Sequence, residues 1–82
     1  MENEWSEVDN TLQKIFEFKD FKEALVFVNR IGEIAERTQH HPNICLKDYK
    51  KVCISTTTHD SGSTVTVKDR GLAEEIDKVF VS

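Results

Sequence analysis

Residues 5–18 alternate between apolar and polar positions in the way that two adjacent β-strands do. The runs 5–8 and 11–18 flank an Asp-Asn pair at positions 9–10, which tolerates the positive φ angles of a tight hairpin turn. Phe16 and Phe18 fall on one face of the second run at a period of two, so we expect both to point into the core. The pattern therefore predicts a β-hairpin formed by the first two strands.

After residue 20 the spacing of the apolar positions changes from that of a β-strand to that of an α-helix. Asp20 is a favourable N-cap and Glu23 follows three residues later, so a capping box predicts a helix that begins near Phe21. Pro42 disfavours helical geometry in the residue before it, so this helix should end near residues 38–40. Apolar residues recur between these limits at helical spacing: Phe21, Ala24, Leu25, Phe27, Val28, Ile31, Ile34 and Ala35. They predict an amphipathic helix packed against a sheet.

The second half repeats the order strand, strand, helix. Residues 43–47 alternate, residues 52–58 are rich in β-branched side chains, and Lys50-Lys51 is expected to turn the chain between them. Thr66 and Asp69 offer a second capping box. The last helix has the apolar stripe Leu72, Ala73, Ile76, Val79 and Phe80. Residues 1–82 thus predict a single α+β domain, a four-stranded antiparallel sheet with two helices packed on one face in the order β-β-α-β-β-α.

Length and charge exclude several classes of function. The chain has 82 residues, and 15 acidic against 11 basic side chains give a net charge of -4. Without a basic face, direct nucleic-acid binding is disfavoured. No apolar run approaches a membrane span and the first residues do not resemble a signal peptide, so we expect a cytoplasmic protein. A core this small gains from self-association, which favours a homodimer or homotetramer.

The chain has two cysteines, Cys45 and Cys53, without CxxC spacing. The simplest interpretation is a pair of reduced thiols in or near strands. A disulfide between adjacent strands is the alternative.

All three histidines lie at the ends of predicted elements. His40 and His41 stand where the first helix must stop, and His59 follows the last predicted strand. His59 shares the strand parity of Cys53, which directs it away from the helix-packed side or into the following loop. Imidazole can give and take a proton near neutral pH, so the group suits acid/base catalysis. The alternative is three surface histidines with no chemical task.

The histidines belong to a longer pattern that resembles the signature of pterin-4a-carbinolamine dehydratases. Its members are Glu36, His40-His41-Pro42, Tyr49, His59 and Asp69, separated in turn by three, six, nine and nine residues. Trp5 and the approach to the first helix extend the resemblance over almost the whole chain. Family members commonly carry a helix before the Trp5 position. In the loop after the third histidine they also usually have two glycines and a leucine before the threonine, where this chain has Gly62-Ser63-Thr64-Val65-Thr66.

The resemblance implies conversion of a 4a-hydroxytetrahydropterin to a quinonoid dihydropterin, as part of tetrahydrobiopterin recycling. The substrate is the carbinolamine that an aromatic amino acid hydroxylase leaves behind, which implies a functional link to such an enzyme. No metal or organic cofactor is required. The resemblance implies His40 and His59 as the acid/base pair and His41 as a substrate-positioning residue. The implied substrate-binding or supporting residues are Glu36, Pro42, Thr58, Asp60 and Asp69.

Two other functions compete with the dehydratase. The histidines and cysteines include good zinc ligands, although adjacent histidines usually diverge and both cysteines lie within strand runs. Some members of the family also assist transcription factors or the assembly of other proteins. The exposed edges and open face of a four-stranded sheet suit such an interaction module.

Overall fold

The computed structural model describes residues 4–59 and 62–80. The elements are β1 (Ser6–Val8), β2 (Thr11–Glu17), α1 (Phe21–Thr38), β3 (Asn43–Lys47), β4 (Lys51–Thr56) and α2 (Val67–Phe80). The four strands form one antiparallel sheet in the order β1-β2-β4-β3. The predicted fold class is therefore confirmed. Within the described ranges, neither helix is long and apolar enough to cross a membrane.

The second hairpin turns earlier than predicted. Asp48 and Tyr49 have φ angles of 52° and 54°, in the left-handed region, while Lys51 is already paired with Lys47 in the sheet. The predicted turn at Lys50-Lys51 is wrong because an aspartate tolerates the left-handed region and can begin the turn. β4 also ends at Thr56, two residues before the predicted end of the strand.

The core lies between the sheet and the two helices. β2 and β4 are the central strands, and Phe16 pairs with Val52 across them in the middle of the buried face. The aromatic ring of Phe16 lies 4.9 Å from the centroids of both Phe27 and Phe80. Phe80 is 37% exposed and lies at the border of the buried cluster. The members of that cluster are Phe16, Ala24, Phe27, Ile31, Ile34, Val52, Ile54, Leu72 and Ile76. Alternation along the strands and helical spacing along α1 and α2 thus converge on one core.

The apolar stripe of α1 is narrower than predicted. Phe21 and Leu25 are 48% and 40% exposed, whereas Phe27, Ile31 and Ile34 are buried. The helix therefore rests on the sheet along the Phe27 side, and Phe21 and Leu25 lie beside the contact rather than in it. The predicted N-cap is confirmed, since the Asp20 carboxylate accepts a 2.9 Å hydrogen bond from the backbone N–H of Glu23.

We expect Phe16→Ala to destabilise the fold by about 3–5 kcal/mol, because it removes a fully buried ring between both helices and the sheet. Urea denaturation followed by circular dichroism measures the loss. Ile15→Ala on the same strand is the matched control, since Ile15 is 49% exposed. It should cost less than about 1 kcal/mol. Equal losses in the two variants would contradict this assignment of the core.

Candidate acid/base site

The centre of the candidate site is the carboxylate of Asp69, which is 0% exposed. Its Oδ1 accepts hydrogen bonds from His40 Nε2 at 2.6 Å and from Thr56 Oγ1 at 2.7 Å. Its Oδ2 accepts from Thr58 Oγ1 at 2.7 Å and from the backbone N–H of Thr66 at 2.9 Å. Four donors therefore replace the water that this carboxylate would bind in solution.

The local sequence places Asp69 in the first turn of α2. The Thr66 hydroxyl accepts a 3.2 Å bond from the backbone N–H of Lys68, and the Asp69 carboxylate reaches back to the N–H of Thr66. The Asp69 half of the second predicted capping box is confirmed, whereas the Thr66 hydroxyl binds the N–H of Lys68 rather than that of Asp69. The positive end of the helix dipole also favours a carboxylate at this position. Asp69 therefore caps a helix and anchors the site with the same side chain.

The end of α1 directs His40 toward Asp69. Gln39 adopts a left-handed conformation with φ 56°, and the backbone N–H of His40 donates to the carbonyl of Ala35 at 3.2 Å. This bond closes the helix and turns the chain sharply. The side chain of His40 is 15% exposed beside the buried carboxylate. The predicted end of the helix thus sets the position of the first histidine.

Hydrogen bonding keeps Asp69 ionised. Burial raises the pKa of this carboxyl, but bonds from His40, Thr56, the Thr66 backbone and Thr58 outweigh burial and lower the pKa to about 2. An ionised carboxylate only accepts hydrogen bonds, so Nε2 of His40 carries the shared proton. In the neutral ring, Nδ1 is then the nitrogen that can accept a proton.

His41 binds a different carboxylate. Its Nε2 lies 2.6 Å from Glu36 Oε2, and the two side chains are 56% and 74% exposed. Both border an open groove that Pro42 and Ile44 also line. His40 and His41 therefore contact separate acidic partners, one buried and one exposed.

The third histidine lies at the surface, next to a buried residue. His59 is exposed, and its Nδ1 lies 3.4 Å from Ser63 Oγ. Thr58 precedes it directly and is held by Asp69, by Thr66 Oγ1 at 2.7 Å and by backbone bonds to Thr64. The predicted orientation of His59, away from the core, agrees with this exposure.

The structure joins some predicted site residues and separates others. His40, Thr58 and Asp69 form one network, and His59 is covalently adjacent to it. Glu36, His41 and Pro42 form a second group along the groove. Asp60, a predicted supporting residue, lies outside the described residues.

One member of the network was missed in the sequence. Thr56 shares the buried strand face with Val52 and Ile54, and a polar side chain in that position requires a partner. The alternation along β4, which places Thr56 on the same face as Val52 and Ile54, was therefore a usable signal for a buried hydrogen bond.

The residues of the competing zinc site are not grouped together. Cys53 alternates with the buried Val52 and Ile54 and so lies on the opposite face of the sheet from Asp69, together with its strand partner Cys45. Among residues 4–59 and 62–80, no three His, Cys, Asp or Glu side chains are grouped so that they could hold a metal ion.

Comparisons with known sequences lead to one family. A family model described as Pterin 4 alpha carbinolamine dehydratase matches residues 1–79. A protein from Picosynechococcus sp. with the provisional name pterin-4-alpha-carbinolamine dehydratase is 49% identical over 93% of this chain and 80% of its own length. A protein of the same provisional name from Sulfurisphaera tokodaii is 44% identical over the same shares of both chains.

Solved structures have the same fold. A crystal structure described as a transcriptional coactivator/pterin dehydratase from Brucella melitensis superposes with a TM-score of 0.84 and 30% identity, covering 92% of this chain and 80% of that one. A pterin dehydratase-like protein described as a RuBisCO assembly factor in the alpha-carboxysome has a TM-score of 0.73 at 22% identity, covering 95% of this chain and 88% of that one. The second similarity shows the fold alone.

Asp69 should stabilise the fold above about pH 4, and this contribution should be lost as the pH falls from about 4 to about 2. The reason is that the pKa of Asp69 is about 2 in the folded chain and 3.8 ordinarily, so the folded state binds the proton at a lower pH than the unfolded state does. The difference corresponds to about 2 kcal/mol. Urea unfolding of the wild type and Asp69→Asn between pH 5 and pH 2 measures it.

The stability gap between wild type and Asp69→Asn should narrow by that amount at low pH. Glu33→Gln, on the exposed side of α1, is the control and should follow the wild type throughout. A gap of constant size from pH 5 to pH 2 would show that Asp69 is not the group that titrates.

Proposed function

Because the chain belongs to the pterin 4 alpha carbinolamine dehydratase family, we propose that it is a hydro-lyase that converts a 4a-hydroxytetrahydropterin to a quinonoid dihydropterin. The observation that carries the proposal is the 2.6 Å contact between His40 and the buried carboxylate of Asp69, in a network that ends one residue before His59. The proposed setting is tetrahydrobiopterin recycling in the cytoplasm, with an aromatic amino acid hydroxylase as the source of substrate.

The reaction requires one proton to be given and one to be taken. The C4a–oxygen bond breaks as the departing hydroxyl accepts a proton and leaves as water. A ring nitrogen loses a proton, and its electron pair forms the new double bond to the carbon. No electrons pass to another molecule, so a general acid and a general base are sufficient.

His40 is suited to take the proton. The ionised carboxylate of Asp69 fixes the ring through Nε2 and offsets the positive charge that the ring acquires when Nδ1 accepts a proton. Thr56 and Thr58 hold the carboxylate in place, so the orientation of the imidazole does not depend on a mobile partner.

His59 is suited to give the proton. It is exposed, so it can exchange protons with water between turnovers, and the Thr58 anchor fixes the backbone immediately before it. His41 has the proposed role of positioning the pterin, with Glu36 orienting the imidazole through the 2.6 Å contact.

An interaction module is the second candidate function. α1 exposes Phe21, Leu25 and Val26, each between 40% and 48%, and Phe21 and Leu25 lie one turn apart on the same side of the helix. Exposed apolar side chains grouped on one helix are typical of a surface that binds another protein. Such a surface suits either the homodimer or homotetramer expected from the small core or a different protein partner.

Removal of either proposed acid/base group should slow dehydration by at least ~10²-fold, because each group contributes that much when proton transfer limits the rate. The measurement is the decay of a freshly generated 4a-carbinolamine, followed by ultraviolet absorbance, with wild type, His40→Ala and His59→Ala. Gln13→Ala is the control, since Gln13 is exposed on β2 and outside the network.

The outcome separates the two candidate functions. Circular dichroism must first show that each variant is folded. If the folded wild type accelerates the reaction no more than buffer does, the dehydratase proposal fails and the interaction module is favoured. If the wild type is active but His40→Ala matches it, the assignment of His40 fails while the enzyme proposal stands.

A further inference from the structure

Cys45 and Cys53 face each other across the β3–β4 hairpin. They are direct partners in the antiparallel register, and both are free thiols. Cys53 lies between the buried Val52 and Ile54, so its side chain is on the sheet face that the helices leave open. Cys45 is exposed there and Cys53 is half-buried. The fold therefore places two accessible thiols side by side, on the face opposite the acid/base network.

The spacing of the two strands allows a disulfide but strains it. Directly opposed residues of an antiparallel pair have Cα atoms ~4.5–5.5 Å apart, within the ~4.4–6.8 Å range of disulfides. Their Cβ atoms are ~4.5–5.5 Å apart, whereas a disulfide requires ~3.5–4.5 Å. Among the residues that the structure describes, β3 is an edge strand paired with β4 alone, so it can approach β4 without breaking a second ladder. A bond closed in this way is strained and therefore easily reduced.

We propose that Cys45 and Cys53 form a reversible cross-strand disulfide by exchange with a low-molecular-weight disulfide such as glutathione disulfide. The thiolate of Cys45, the more exposed residue, attacks one sulfur of glutathione disulfide and releases one glutathione. The thiolate of Cys53 then attacks the sulfur of Cys45, closes the intramolecular bond and releases the second glutathione. The protein loses two electrons and two protons, which leave with the two glutathione molecules.

The disulfide would cross-link the two strands of the β3–β4 hairpin. The candidate acid/base site lies at the end of this hairpin that is away from its turn. Asn43 pairs with Ser55 there, and the next residues are Pro42 on one strand and Thr56 on the other. The bond would fix the register of the two strands between His41 and the donors of Asp69. The proposal concerns the thiols alone and does not rest on the dehydratase function.

Native protein in glutathione redox buffers tests the proposal. Samples are quenched by alkylation, weighed intact by mass spectrometry and digested with trypsin. Cleavage after Arg37, Lys47, Lys51 and Lys68 separates the two cysteines. We expect an intact chain that has lost two hydrogen atoms and a linked pair of peptides, 38–47 and 52–68. Stable glutathione adducts without the linked peptides would overturn the proposal.

Two variants and one comparison check the geometry. Cys53→Ser should stop at a glutathione adduct on Cys45, and Cys45→Ser should react more slowly, because Cys53 is less exposed. The second step, closure of the ring from the glutathione adduct on Cys45, should be at least ~10-fold faster in the folded chain than in urea, because the register holds the two thiols together. An equal or faster closure in urea would show that the folded hairpin does not bring the two thiols together.

Discussion

The fold depends on satisfying one buried charge. A carboxylate taken out of water costs several kcal/mol unless hydrogen bonds replace its hydration. Asp69 meets this requirement with donors from the end of α1, from β4 and the residues after it, and from the start of α2. Each of these segments must therefore reach one point for the charge to be tolerated. The carboxylate sets where three elements meet, in addition to closing the cap of α2.

The same buried carboxylate also orients a residue of the candidate site. The 2.6 Å bond to an ionised carboxylate restricts rotation of the His40 imidazole, so in the proposed reaction Nδ1 is oriented before a substrate arrives. The two threonine hydroxyls are neutral donors at 2.7 Å, so they hold the carboxylate in place and leave its negative charge unchanged. In the proposed reaction, stability and proton transfer use one set of contacts, so a substitution such as Asp69→Asn should disturb both.

Local signals were sufficient for most of the fold and for part of the site. Pro42 and the Asp20 cap fixed the ends of α1, and strand parity separated the buried Val52 from Cys53. The resemblance of the whole pattern from Glu36 to Asp69 pointed to the family, but only three-dimensional packing could show that His40 and His41 bind separate carboxylates. The same limit applies to the exposed Phe21, because helical spacing gives the width of an apolar stripe and not the line along which the helix rests on the sheet.

β4 carries functional groups on both faces of the sheet: a donor to the Asp69 carboxylate on one face and a thiol on the other. Its period of two sends Thr56 to the helix side, where it bonds Asp69, and Cys53 to the open side, where it opposes Cys45. A change at the thiols cannot reach the carboxylate through a side-chain contact, because the sheet lies between them. It can act only through the backbone, by shifting β3 against β4. Since only Pro42 separates the histidine pair from β3, the hairpin connects the thiols on one face to the histidines through the backbone.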